Sequence, residues 1–115
     1  MDAESEYSVN GRTLYLQPSG PVTFDLPIEQ VLECGEVLVV LLQVPSGARY
    51  PRNIFGIARD GAMLWQVPHL PSRYPTPFRR LVRMGDAIGT GKVEGLEVLI
   101  DPQTGRILKK ELRRF

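Results

Sequence analysis

The chain has 115 residues, a formal net charge of +1, 43% hydrophobic residues and 23% charged residues, which predicts one soluble globular domain spanning 1–115. Its single cysteine excludes an intramolecular disulfide, and its longest apolar run, Val37–Leu42, is far shorter than the ~18 residues that span a bilayer. The N-terminal MDAESEY has no basic stretch followed by an apolar one, so we expect no secretory signal and a cytoplasmic protein.

Charge is unevenly distributed along the chain. Residues 1–48 carry seven acidic side chains and one basic one, for a net −6, whereas residues 49–115 carry thirteen basic and six acidic ones, for a net +7. Such an asymmetry can indicate a basic surface that binds an anionic partner. The alternative, which we favour, is that acidic and basic strands lie side by side and neutralise each other.

Short β-rich runs separated by glycines and prolines make up the chain, with no long 3.6-residue periodicity. Asn10-Gly11 predicts a two-residue hairpin turn near the N-terminus. The stretch PVTFDL (21–26) alternates apolar and polar residues as a strand does, and Cys34-Gly35 predicts a turn between two further arms. Because Val37–Leu42 is continuously apolar, we expect a central strand that is covered on both faces.

The stretch NIFGIARDGAMLWQVP (53–68) predicts a β-hairpin with a two-residue loop at Asp60-Gly61. That loop fixes the register, and the expected cross-strand pairs are Phe55 with Gln66, Gly56 with Trp65, and Ile57 with Leu64. One face then holds Ile54, Gly56, Ala58, Met63, Trp65 and Val67, all apolar. We expect the Trp65 ring to lie across the bare backbone of Gly56 and to close one side of a core.

The next stretch, PHLPSRYPTPF (68–78), has four prolines and is predicted to be an extended surface loop. PHLPSR matches a Pro-x-x-Pro motif followed by a base, but a rigid connector explains the same residues. Polar and aromatic side chains on a stiff loop are typical of interaction surfaces. The candidate interaction surface is His69, Arg73, Tyr74, Phe78, Arg79 and Arg80.

Four more strands are expected after the loop, with turns at Gly85-Asp86 and in DPQTG (101–105). Aligning Gly35 with Gly85 and Gly61 with Gly105 suggests an internal repeat of 28–67 and 78–113. The fold expected is all-β: about ten short antiparallel strands in two four-stranded meanders plus an N-terminal hairpin. The meanders would pack as a sandwich or as a propeller-like fragment.

Two stretches carry a resemblance to a known architecture. NIFGIARDGAMLWQV (53–67) resembles the outer strands of quinoprotein-type β-propeller repeats, and VEGLEVLIDPQTGRIL (93–108) resembles their companion form. In a chain this short they also resemble a family of small uncharacterised bacterial proteins. The resemblance implies a β-meander and no activity, because two meanders are too few to close a propeller ring and its axial channel.

Few residues are suited to catalysis or to metal binding. The lone Cys34 and the lone His69 are too few for a structural zinc site, and we interpret them as a turn cysteine and a solvent-facing histidine. GTGK (89–92) is followed by Val93 rather than by Ser or Thr, so it does not complete a phosphate loop. We therefore expect no metal, no cofactor and no enzymatic activity.

The basic residues of the C-terminal half suggest an alternative function. Arg79 and Arg83 are expected on one strand face and Arg80 on the other, so they form no single stripe. An alternative basic surface is formed by Lys109, Lys110, Arg113 and Arg114. The sequence thus predicts a non-enzymatic interaction module that recognises a protein partner or its own copy. Weak nucleic-acid binding through the basic C-terminal strands is the alternative.

Overall fold

A computed structural model of the chain describes residues 7–70 and 75–112. These residues contain eleven β-strands and no helix. The strands are β1 (Tyr7–Asn10), β2 (Thr13–Leu16), β3 (Gly20–Thr23), β4 (Ile28–Cys34), β5 (Val37–Leu42), β6 (Ile54–Ala58), β7 (Met63–Gln66), β8 (Val82–Met84), β9 (Ala87–Gly91), β10 (Leu96–Ile100) and β11 (Ile107–Leu112). They form three antiparallel sheets: the N-terminal sheet β1–β3, the central sheet β4–β7 and the C-terminal sheet β8–β11. The all-β fold with two four-stranded meanders is confirmed.

The N-terminal element differs from the predicted hairpin in two ways. The stretch after Pro18 contributes a third strand, β3, which pairs with β2 along its length. Asn10 pairs with Thr13, so the loop residues are Gly11 and Arg12, and the predicted turn was wrong by one residue. Gly11 has a φ of +61° and Arg12 has no positive φ, which suits a turn with glycine at its first central position.

Strand β5 is the centre of the fold because both of its faces are buried. All six of its residues are at most 2% exposed, which confirms the prediction for this run. Val37, Val39 and Leu41 belong to one hydrophobic cluster, and the alternate residues Leu38, Val40 and Leu42 belong to another. Since successive side chains of a strand point to opposite faces, the central sheet separates two cores.

The two cores define a stack of three layers. Between the central and N-terminal sheets, Leu14 and Leu16 of β2 pack with Phe55 and Ile57 of β6. Between the central and C-terminal sheets, Ile54, Trp65 and Val67 pack with residues of the C-terminal half, namely Phe78, Leu81, Ile88, Leu96, Val98 and Ile100. The face-to-face arrangement is sandwich-like, with the central sheet shared by both cores.

The hairpin β6–β7 confirms part of the predicted register. Phe55 pairs with Gln66 and Gly56 pairs with Trp65, but Ile57 pairs with Met63 instead of Leu64. The reason is a longer loop, since the Ala58 amide donates to the Ala62 carbonyl and residues 59–61 form the connection. Leu64 is the extra residue on β7, and it shifts the pairing between Gly56 and the turn by one position. Met63 is therefore 62% exposed and does not continue the apolar face.

Trp65 fills a slot made by one glycine of the central sheet and one of the β10–β11 loop. A Cβ atom added to Gly56 would lie 2.2 Å from the indole Nε1, and one added to Gly105 would lie 2.6 Å from the indole Cδ2. The Nε1–H group also donates a 2.8 Å hydrogen bond to the Pro102 carbonyl. The prediction that Trp65 covers Gly56 is therefore confirmed, and the slot also joins the central sheet to the β10–β11 loop.

The glycine pairs aligned in the sequence occupy corresponding turns of the two meanders. Gly35 and Gly85 each follow the first strand of their sheet with a φ of +63°. Gly61 and Gly105 lie in the loops before the fourth strands, also with positive φ. The two sheets have the same strand order, which is compatible with the suggested repeat of 28–67 and 78–113.

Acidic and basic side chains from the two halves of the chain meet near the β4–β5 turn. Arg59 Nη1 lies 3.0 Å from Glu33 Oε2, and Arg83 donates a 2.8 Å hydrogen bond to the Glu33 carbonyl. At this position one carboxylate of the acidic half is paired with one arginine of the basic half.

The Trp65 slot leads to a first expectation. Gly56→Ala would place a Cβ against the indole ring, which cannot move away because Gly105 and Pro102 contact its other side. We therefore expect the unfolding free energy to fall by about 3 kcal/mol, which is the upper end of the range for overpacked cores. Gly89→Ala is the matched control, because its Cβ would lie 2.9 Å from Cγ of Met84, a 53% exposed and flexible side chain. We expect this control to stay within about 1 kcal/mol of wild type. Urea unfolding followed by Trp65 fluorescence measures both, and equal losses would contradict the slot.

Candidate functional site

The segment that leads into the C-terminal sheet is held by two side-chain amides of the central sheet. Asn53 is 1% exposed; its Oδ1 accepts from the Phe78 amide at 2.9 Å and its Nδ2 donates to the Phe78 carbonyl at 2.9 Å. Gln30 does the same for Leu81, with distances of 2.9 Å and 2.8 Å. Each carboxamide thus replaces the neighbouring backbone that a strand would offer. Arg79 and Arg80 lie between these two fixed residues.

Residues on the outer face of the C-terminal sheet form two ordered rows. Directly opposed residues of antiparallel strands lie on the same face, so the register defines each row. One row runs Val82, Gly89, Leu99 and Lys109 across β8, β9, β10 and β11. The next row runs Gly91, Glu97 and Glu111, and the Arg79 amide donates to the Gly91 carbonyl at its β8 end.

These rows line an open groove of about 660 Å³. Its apolar lining includes Val82 and Met84, which are 42% and 53% exposed, together with Leu99. The glycines of β9 lower the middle of the face because they present no side chain. Charged residues also line it: Arg79 and Arg80 towards β8, and Glu97, Lys109 and Glu111 towards β11. The face can therefore offer apolar contact and charges of both signs.

A buried lysine and a half-buried glutamate follow β9. Lys92 is 6% exposed and its Nζ lies 4.7 Å from the centre of the Phe78 ring. Burial lowers the pKa of Lys92, and the Glu94 carboxylate partly opposes that change. Glu94 accepts hydrogen bonds from the hydroxyl and the amide of Thr76. Burial alone would raise the pKa of Glu94, but these bonds and Lys92 outweigh it and hold that pKa below its usual value.

The predicted interaction surface is divided by the structure. Arg79 and Arg80 are exposed and line the groove, and His69 is exposed just beyond β7. Phe78 is only 3% exposed and packs in the core, so its ring is not on the surface. Arg73 and Tyr74 lie outside the described residues.

The basic surface proposed as the alternative is divided as well. Lys109 opposes Leu99 and lies on the groove face, whereas Lys110 opposes the buried Val98 and lies on the other side of the sheet. Arg113 and Arg114 lie outside the described residues. The prediction that Arg79 and Arg83 share a face was wrong, because Arg79 and Arg80 line one groove and Arg83 contacts the central sheet; as predicted, the three arginines form no single stripe.

Cys34 and His69 form no catalytic pair in the described structure. The Cys34 thiol lies 3.9 Å from the Leu32 carbonyl and 3.9 Å from Arg83 Nη1. Burial raises the pKa of Cys34, and Arg83 partly offsets the rise. Among the described residues, no group of three or more His, Cys, Asp or Glu is placed to hold a metal ion.

Sequence reasoning did not single out the apolar groove residues Val82, Met84 and Leu99. A signal was present, because Ile88, Val98 and Ile100 mark the core face and the strand period of two assigns their neighbours to the outer face. That signal shows which residues share a face, but it does not show which face another sheet covers.

Comparison with known families gives one assignment. The family model described as "Domain of unknown function (DUF7957)" matches residues 4–112. The chain belongs to this family. No curated protein is detectably similar to the chain. The match gives no support to the resemblance to quinoprotein-type propeller repeats, which stays a prediction.

The described residues include no helix that is long and apolar enough to cross a membrane.

The lowered pKa of Glu94 leads to a pH-dependent expectation. The ordinary pKa of a glutamate carboxyl is 4.5. A carboxylate whose pKa is lowered by folding stabilises the protein at pH values above this ordinary pKa. The stabilisation is lost as the pH falls through the pKa of the folded state. We therefore expect Glu94→Gln to be less stable than wild type at neutral pH, with a difference that shrinks as the pH falls below 4.5.

Urea unfolding at several pH values, followed by Trp65 fluorescence, measures this difference. Glu29→Gln, on the exposed part of β4, is the control and should show a smaller difference. A Glu94→Gln effect of constant size across the pH range would contradict the assignment.

Proposed function

We propose that this protein is a non-enzymatic interaction module that binds a protein through the outer face of its C-terminal sheet. The observation that carries the proposal is the difference between the two outer faces of the three-layer stack. The outer face of the N-terminal sheet presents Ser8, Thr13, Tyr15 and Thr23, and Thr13 and Thr23 lie within hydrogen-bonding distance of each other. Such a face is typical of a sheet that is exposed to solvent.

The outer face of the C-terminal sheet has a different composition. Val82, Met84 and Leu99 replace the hydroxyl side chains, and basic and acidic residues border them. Apolar residues that are surrounded by charged ones on an otherwise polar surface mark protein interaction sites. The groove is therefore the best candidate for the partner surface.

The fixed position of the arginines also supports binding. Arg79 and Arg80 follow a residue held by Asn53 and precede one held by Gln30. Their backbone is thus fixed before a partner arrives, which reduces the entropy lost on binding.

Nucleic-acid binding is supported less well by the same groove. Arg79, Arg80 and Lys109 all line it, which favours contacts with phosphates. However, Glu97 and Glu111 line it as well, and they would repel a phosphate backbone. Phe78, the aromatic residue nearest the arginines in sequence, is buried and offers no surface for base stacking.

A capture experiment with a matched pair of variants tests the proposal. The tagged protein is incubated with a bacterial lysate and washed at about 50 mM and then about 200 mM salt, the range over which phosphate-driven binding is lost. Val82→Lys places a positive charge in the groove, and Tyr15→Lys places one on the N-terminal sheet; the two side chains are 42% and 43% exposed. We expect wild type and Tyr15→Lys to retain the same protein after the second wash, and Val82→Lys to lose it.

Three results would contradict the proposal. One is retention by Val82→Lys that equals that of wild type, and another is the absence of any retained protein when the lysate also holds an untagged copy of this chain. The third is capture of nucleic acid alone, released by the second wash, which would favour the alternative function.

A further inference from the structure

We propose that the partner bound at the groove is a second copy of this chain, joined face to face through the outer surfaces of the two C-terminal sheets. The inference rests on the proposed function, because it names the partner of the same surface. It is carried by the charges and side-chain sizes of the two rows.

We call the row of Gly91, Glu97 and Glu111, together with Arg79 and Arg80 at its β8 end, the charged row. Its charges are complementary to those of the same row read in the opposite direction. Read from β8 to β11, it begins with the cations Arg79 and Arg80, continues through Gly91, and ends with the carboxylates Glu97 and Glu111. A two-fold axis parallel to the strands, between β9 and β10, places the row of one copy against the reversed row of the other. Arg79 and Arg80 of each copy then lie opposite Glu111 of the other copy. A two-fold contact of this kind uses the same surface on both copies.

We call the row of Val82, Gly89, Leu99 and Lys109 the apolar row. Its side-chain sizes are complementary under the same two-fold axis. Reversal of Val82, Gly89, Leu99 and Lys109 places Leu99 of one copy opposite Gly89 of the other. A large side chain thus meets a position without one on the opposing face. Val82 lies opposite Lys109 of the other copy, whose methylene groups can cover it while the ammonium group stays in water.

The charges also distinguish this axis from the other face-to-face arrangement. A two-fold axis perpendicular to the strands through the apolar row would place Lys109 opposite Lys109 of the second copy. Like charges that face each other across an interface disfavour that arrangement. Charge complementarity therefore favours the axis parallel to the strands over a perpendicular axis through the apolar row.

The area of the outer face of the C-terminal sheet limits the affinity that we expect for the dimer. Four strands about 4.8 Å apart, with three to six residues each at ~3.3 Å, give a face of roughly 15 Å across the strands and roughly 10 to 20 Å along them. This is smaller than the ~800 Å² that each partner buries in a standard interface. The dimer should therefore be weak, with dissociation in the micromolar range.

Analytical ultracentrifugation of the full chain from about 1 to about 500 µM tests the inference, since this range brackets micromolar dissociation. Variant one is Arg79→Glu with Arg80→Glu, and variant two is Glu97→Arg with Glu111→Arg. Each places like charges opposite each other in its own dimer, but a mixture of the two restores opposite charges. The control is Arg12→Glu with Arg49→Glu. It makes the same two Arg→Glu changes as variant one, and so lowers the net charge equally, but at exposed positions outside the groove.

We expect wild type and the control to dimerise with equal affinity. Variants one and two should each dimerise at least about tenfold more weakly, and their equimolar mixture should form a heterodimer with affinity close to that of wild type. Trp65 fluorescence and urea unfolding verify that each variant is folded. A variant that fails this check is replaced by Arg80→Glu or Glu111→Arg alone.

The inference is overturned if wild type is monomeric at the highest concentration, if neither variant weakens the dimer, or if the mixture is not rescued. A monomeric wild type that still retains another protein through Val82 would overturn the inference and leave the proposed function standing. A monomeric wild type with no such retention would overturn both.

Discussion

The position of one indole ring determines how the C-terminal sheet is placed. Trp65 lies between Gly56 of its own sheet and Gly105 of the β10–β11 loop, at distances that leave no room for a Cβ on either residue. Its N–H group donates to the Pro102 carbonyl, so the buried polar atom of the ring is satisfied. The same loop supplies one apolar contact and one hydrogen bond. The ring therefore fixes the C-terminal sheet against the central sheet in both position and orientation.

Further polar contacts fix the same interface at other positions. The Asn53 and Gln30 carboxamides hold Phe78 and Leu81, and the Gln103 amide donates to the Cys34 carbonyl at 3.2 Å. Buried hydrogen bonds with defined partners favour one arrangement of two apolar surfaces over others. One face of the C-terminal sheet is fixed in this way, and its other face forms the groove that we propose as the partner surface. The rigid interface and the open groove are thus two sides of the same four strands.

Much of the fold can be predicted from local patterns in the sequence. The continuous apolar run of β5 indicated burial on both faces, and the glycine opposite Trp65 indicated that the ring covers it. These predictions succeed because they depend on neighbouring strands and on the strand period of two. The register beyond Gly56 was missed, because a three-residue loop and a two-residue loop are both compatible with Asp60-Gly61.

Features that depend on distant residues could not be predicted in this way. Three such features arise from contacts between separate parts of the fold. They are the position of Gly105 as the second wall of the Trp65 slot, the anchoring by Asn53 and Gln30, and the burial of Phe78. The groove belongs to the same class, because Val82 is exposed and Leu99 is half-buried only where no further sheet of the described residues covers that side. Sequence spacing placed Arg79 and Arg80 on opposite faces, whereas the anchored segment before β8 is not a regular strand and brings both to the groove.

The central claim is that the Trp65 ring, held by Gly105, locks the C-terminal sheet onto the central sheet. A double-mutant cycle of Gly105→Ala and Trp65→Leu tests it most directly, with unfolding in urea followed by circular dichroism. The cost of a side chain at the left-handed Gly105, whose φ is +79°, occurs in both backgrounds and cancels in the cycle. If the ring fills the slot, Gly105→Ala should cost at least about 1.5 kcal/mol more in wild type than in Trp65→Leu. Additive effects, within about 0.5 kcal/mol, would contradict the account.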